Sequence, residues 1–159
     1  MARIKAVSNF GPLIHLHEID CVETLKIFDV IISSKVKSEL RGIEVPGVKI
    51  QPLTEKGKNR AAMLVRKYGI ELGEASAIAL AEHSGIKLFL TDDLDARLVA
   101  KRLNLEPHGS MGILLRAFRE GILTKKEVVK KVEELETKSS LFITHDLIKK
   151  TIKEIERYK

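Results

Sequence analysis

A three-layer α/β/α fold, with a central, mostly parallel sheet between helices, is the class the sequence predicts. Two observations carry this. Short apolar, β-branched runs alternate with longer stretches of helical periodicity, and most changes of regime are marked by a capping residue or a glycine. Strand–helix alternation of that kind builds βαβ units, which need a parallel sheet covered on both faces. At 159 residues the chain fits one domain, residues 1–159, with helices from about residue 124 appended to the core.

The elements follow in order. Ile4 to Val7 is a first strand, stopped by Ser8, Asn9 and Gly11, and Pro12 suits the first turn of a helix carrying Leu13, Ile14 and Leu16. Phe28 to Ile32 is the second strand. Ser33 or Ser34 caps a helix through Arg41, which Gly42 ends. Val45-Pro46-Gly47 is a turn, Val48 to Leu53 is extended, and Thr54 opens a helix to about Tyr68. Leu72 to Ser84 is a helix closed by Gly85, Lys87 to Thr91 a strand, and Asp92 or Asp93 caps a helix to Asn104. Ser110 to Glu120 forms another helix. Thr124 with Glu127 makes a capping box for the next, and Thr144 starts a last one bearing Leu147, Ile148, Ile152 and Ile155.

Composition narrows the function classes. Hydrophobic content of 44% with 31% charged residues is globular, and no apolar run reaches the roughly 18 residues of a membrane span. The single cysteine, Cys21, excludes a disulfide scaffold and a CxxC zinc site. A reduced, cytoplasmic protein without a secretory leader is expected. The net charge is +6, and residues 101–159 carry most of it, with 14 basic against 9 acidic side chains. An excess so placed suits a polyanion. The 19 Lys and 16 Glu, against one Gln, resemble the ion-pair-rich surface of a thermophile. Phosphate-binding loops, HExxH and GxSxG are absent from the sequence, and five Phe with two Tyr, scattered, make no stacking platform for RNA.

Acids then stand out where packing or repulsion makes them costly. About 100° per residue places Glu74 amid Ala77, Ile78 and Ala81 on one helix face. Asp92, Asp93 and Asp95 crowd the end of a strand, the edge at which open parallel sheets bind ligands. Asn9 would share that edge, and Glu39 sits beside Val36 and Leu40. Glu39, Glu74 and Asp92 or Asp93 thus form a set of hard oxygen ligands that suits Mg²⁺ or Mn²⁺, and an acidic cation site beside a basic surface suits phosphodiester chemistry. Each residue also has an ordinary reading: dipole-favoured acid, N-cap, Asx turn or solvated side chain.

The segments GEASAIALAEHSGIKLFLTDD (73–93), VSNFGPLI (7–14) and VKSELRG (36–42) resemble the PIN-domain family, and GSMGILLRAFREGILTKKEV (109–128) resembles a largely uncharacterised archaeal and bacterial branch similar to VapC-type toxins. The resemblance implies a PIN-like α/β/α nuclease fold with four acids around Mg²⁺ or Mn²⁺, acting on single-stranded RNA. By position, Glu39 is the second acid, Glu74 the third and Asp93, in Thr91-x-Asp93, the fourth; Asp92 and Asp95 are supplementary. The usual opening Asp is Asn9 here. An amide still offers a carbonyl oxygen, but the missing charge should lower metal affinity and water activation.

The leading expectation is therefore a metal-dependent endoribonuclease in which Glu39, Glu74, Asp93 and Asn9 do the chemistry. Glu39, Glu74, Asp93 and Asp92 would hold the metal, and Arg97, Lys101, Arg102 and Thr91 would meet the nucleic acid. An antitoxin protein and a homodimer are implied by the same resemblance. One alternative is a weakened PIN-like module that binds RNA or a protein without turnover; another is an unrelated α/β binding module with no metal site.

Overall fold

The computed structural model describes residues 3–158. Five strands, β1 (Ile4–Ser8), β2 (Phe28–Ile32), β3 (Lys49–Ile50), β4 (Leu88–Leu90) and β5 (Glu106–His108), form one sheet in the order β3-β2-β1-β4-β5. Every pairing is parallel, so the sheet is wholly rather than mostly parallel. Helices flank it in a three-layer α/β/α arrangement: α1 (Phe10–Glu18), α2 (Ser34–Glu39), α3 (Glu55–Tyr68), α4 (Leu72–Ser84), α5 (Leu94–Arg102), α6 (Ser110–Arg119), α7 (Lys125–Thr137) and α8 (His145–Arg157).

The strand order places the switch point between β1 and β4. From β1 the chain builds outward through β2 and β3, then returns to β4 and builds the other way to β5. The connections leaving β1 and β4 therefore diverge, opening a crevice at their carboxyl ends. The Asn9 backbone N–H donates to Leu90 O at 2.8 Å and holds the two ends side by side.

Alanine content shapes the helix beneath that crevice. In α4 every residue from Ala75 to Ala81 is buried, so the helix is enclosed on all sides rather than along one stripe. Small side chains let the sheet, α2 and α3 approach together. A hydroxyl relay ties α2 to α4: Ser33 Oγ and Ser76 Oγ are 2.7 Å apart, and Ser76 Oγ donates to Gly73 O at 2.7 Å. Ser33 Oγ also accepts from Val36 N, capping α2.

Several boundaries differ from the sequence expectation. Helix α1 begins at Phe10, capped by Asn9, with Pro12 inside its first turn. Helix α2 ends at Glu39, because Arg41 and Gly42 both take positive φ. Of the extended stretch 48–53 only Lys49–Ile50 pairs as strand. Helix α5 ends at Arg102, with Asn104 in the left-handed region at φ 63°. Two elements were not expected: a 3₁₀ helix over Val22–Ile27 and strand β5. Glu-Pro-His shows no alternation, and its proline is tolerated because β5 is an edge strand.

The last two helices share the core. Val128, Val132, Leu135, Ile148 and Ile155 are buried within it, and Lys131 Nζ donates to Ile19 O at 2.6 Å. No helix among the described residues is long and apolar enough to cross a membrane. Removing the Ser33 hydroxyl deletes a helix cap and one link to α4. Ser33→Ala is therefore expected to cost about 1–2 kcal/mol and lower the Tm by about 2–8 °C, read by thermal melts.

Candidate active site at the carboxyl edge of the sheet

At the switch point the side chains of Asn9 and Thr91 face each other across β1 and β4. Asn9 is 2% exposed; its Nδ2 donates to Thr91 Oγ1 at 3.4 Å and its Oδ1 accepts from Phe10 N at 2.9 Å. Thr91 Oγ1 also accepts from Asp93 N at 3.1 Å, leaving its own hydrogen to donate. Asp93 then caps α5, its Oδ2 accepting from Ala96 N at 2.8 Å.

The Glu74 carboxyl group lies against that of Asp93, and the two share a hydrogen bond. Burial, first, and this bond, second, push the Glu74 pKa up to about 8, with the charges of Asp93 and Glu71 adding to the rise. The Glu71 N–H, donating to Glu74 Oε1 at 2.9 Å, opposes it. The rise favours the protonated form of Glu74, which places a proton where two carboxylates would otherwise repel.

Glu39 reaches the same region from the end of α2. It lies over the first turn of α4 at Gly73, where an added Cβ would come within 2.7 Å of the Glu39 carboxyl carbon. Its Oε1 is buried and accepts no hydrogen bond. Burial raises the Glu39 pKa, the Lys35 charge counters that, and the Glu71 charge adds to it. Glu71 is thus a fourth carboxylate of the cluster, which the sequence reading passed over. Its signal was the spacing Glu71-x-x-Glu74 at a helix start.

The neighbouring aspartates part company. Asp92 turns away from Glu74. Its Oδ1 accepts from Ser110 N at 2.6 Å, while its Oδ2 accepts from Ser110 Oγ at 2.5 Å and meets His15 Nδ1 at 2.6 Å. It caps α6 and fastens α1, so both oxygens expected to hold a metal are spent on packing. Asp95 is exposed in the first turn of α5.

The basic candidates also divide. Arg97 packs over Gly109, where an added Cβ would lie 3.2 Å from its guanidinium, and its charge adds to the burial that lowers the His108 pKa. Lys101 and Arg102 occupy the last turn of α5, about 12 Å along the helix from the acids at its start. Lys35, not singled out from the sequence, is the cation whose charge reaches Glu39.

Among the described residues no three His, Cys, Asp or Glu side chains converge closely enough to form a ready metal site. The donor chemistry nevertheless fits a hard cation. Glu74 and Asp93 are oxygen donors close enough to interact, and Glu39 offers an unpartnered oxygen nearby.

Carboxylates gathered at the carboxyl edge of a parallel sheet occupy the place where such sheets bind ligands. The family model described as "DUF3368: PIN domain" matches residues 5–157, nearly the whole chain, and the chain belongs to the PIN-domain family. PIN domains generally use divalent metal ions and commonly act on RNA. No curated protein and no solved structure matches the chain.

The raised Glu74 pKa has a consequence for stability. Folding favours the protonated form, so the stabilisation is complete below the ordinary value of 4.5 and is lost as pH rises through about 8. Glutamine stays neutral throughout. In EDTA, Glu74→Gln should raise the Tm by about 2–6 °C at pH 9 and change it little at pH 4, which paired melts would read.

Proposed function

We propose that the protein is a metal-dependent endonuclease of single-stranded RNA, with Glu74 and Asp93 as principal ligands of Mg²⁺ or Mn²⁺. The observation that carries this reading is the contact between these two carboxyl groups at the switch point of a parallel sheet. When bound, the cation supplies Lewis acidity to water and to the phosphate.

The residues divide the remaining work. Asp93 is held in place by its bond to Ala96 N and by the Thr91 hydroxyl beneath it. Glu74, oriented by the Glu71 N–H, would hold the cation beside Asp93 as a carboxylate, its proton passing to solvent. Glu39, pinned against Gly73, brings an acceptor oxygen for the attacking water or for the ribose. Asn9, whose amide oxygen accepts from the Phe10 N–H, would offer the same oxygen to the cation.

The toxin-like resemblance adds an inhibitory protein partner and a homodimer to this reading. Leu94 and Leu98, exposed on successive turns of α5, give an apolar surface suited to pairing. A second reading, RNA binding without turnover, is favoured by one observation: both polar atoms of Asn9 are already engaged in joining β1 to β4 and opening α1.

The test is cleavage of end-labelled single-stranded RNA with Mn²⁺. Wild type is expected to cut, and Glu74→Gln and Asp93→Asn to lose at least about 100-fold. Asp92→Asn should lose less than about tenfold, because Asp92 acts through packing. Cleavage by Asn9→Asp alone would establish the second reading, and undiminished cleavage by both Glu74→Gln and Asp93→Asn would remove the first.

A further inference from the structure

A pocket of about 480 Å³ opens beside the acid cluster, between the start of α2, the entry to α3 and the start of α4. Its body is apolar, built from Leu53, Ala61 and Leu72, while Ser34, Lys35 and Lys58 stand among its walls. No carboxylate lines it. The volume lies within the roughly 300–1,000 Å³ of small-molecule sites, which are likewise mostly apolar with a few placed polar groups.

The pocket joins the acid cluster through two residues. Leu72, 49% exposed, immediately precedes Gly73, against which Glu39 lies. Lys35 is a pocket residue and also the cation that counters the burial of Glu39. Apolar walls with two exposed ammonium groups complement a ligand with a flat, weakly polar body and anionic charge at its margins. A nucleotide unit has that form, the base being apolar on its faces and the phosphates suiting lysine point charges. Only an unpaired base can turn into such a pocket, since a duplex keeps its bases stacked and paired.

We propose that this pocket holds one unpaired nucleobase of a single-stranded RNA, with the Lys35 and Lys58 ammonium groups on the flanking phosphates, so that the strand leads from the pocket onto Glu39, Glu74 and Asp93. The path onto the acids rests on the nuclease reading; the base pocket does not.

Binding is measured by fluorescence anisotropy in EDTA, with a labelled ten-nucleotide RNA, an abasic ribose-phosphate chain of equal length and a duplex of the same sequence. Wild type should bind the base-bearing single strand about fivefold or more tighter than the other two. Ser34→Phe, at an exposed lining position, and Ala61→Leu fill the pocket and should abolish that preference, with circular-dichroism melts confirming folding. Lys58→Glu should weaken binding of both single strands and reduce the salt slope by about one.

Equal wild-type affinity for base-bearing and abasic chains overturns the proposal, as does a preference that survives in a folded Ser34→Phe variant. Uridine monophosphate competing as strongly as the oligomer would assign the pocket to a free nucleotide instead. The absence of RNA binding, with an apolar peptide held in the pocket, would assign it to a protein. A base preference without Mn²⁺-dependent cleavage removes the nuclease reading and leaves the pocket; cleavage without a base preference does the reverse.

Discussion

The contact between the Glu74 and Asp93 carboxyl groups is the constraint around which this edge of the molecule is organised. Two acids in contact within a half-buried crevice are stable together only with a shared proton or a cation. The fold holds them there by backbone geometry. Each sits at the start of a helix, Glu74 in the first turn of α4 and Asp93 at the N-cap of α5, where N–H groups and the helix dipole favour negative charge. Because the connections leaving β1 and β4 diverge at the switch point, the crevice opens at the carboxyl ends of the strands.

Consecutive residues at this edge do opposite kinds of work. Thr91 sets the spacing of the seam by accepting from both Asn9 and Asp93. Asp92 is drawn away from the crevice to cap α6 and to hold His15 on α1, while Asp93 faces into it. Alternation follows from the extended backbone that links β4 to α5. The same geometry spares the crevice a further acid, which would deepen the repulsion that already lifts Glu74.

The fold was legible because its signals are local. Caps such as Thr54, Thr124 and Thr144, and the glycines at 69 and 85, mark helix ends by mechanisms that need no tertiary context. What escaped the sequence was set by long-range pairing: β5 is a strand because Phe89 and its neighbours offer it an edge, not because Glu106-Pro107-His108 favours extension. At the candidate site, periodicity brought out Glu74 and the Asp cluster. It could not separate Asp92 from Asp93, because the choice depends on where Ser110 and His15 lie. Glu71 and Lys35 went unremarked because an acid or a lysine at a helix start is ordinary until Glu39 is seen to lie between their charges.

Asn9 shows why the site can be both well built and weakly charged. An amide at this position donates to Thr91 and accepts from Phe10, closing the seam without adding to the repulsion between Glu74 and Asp93. A carboxylate there would still find a donor, because the Thr91 hydroxyl hydrogen is free to turn toward it, but the crevice would carry one more negative charge. The amide thus favours the metal-free fold, whereas the acid would favour the cation. Glu71, whose charge already acts on both Glu39 and Glu74 from the start of α4, restores part of the missing field from the rim. Its exposure to solvent weakens that field relative to a carboxylate at position 9. On the proposed reading, the balance between seam and charge, set mainly at residue 9, would govern how readily this edge of the sheet takes up a divalent ion.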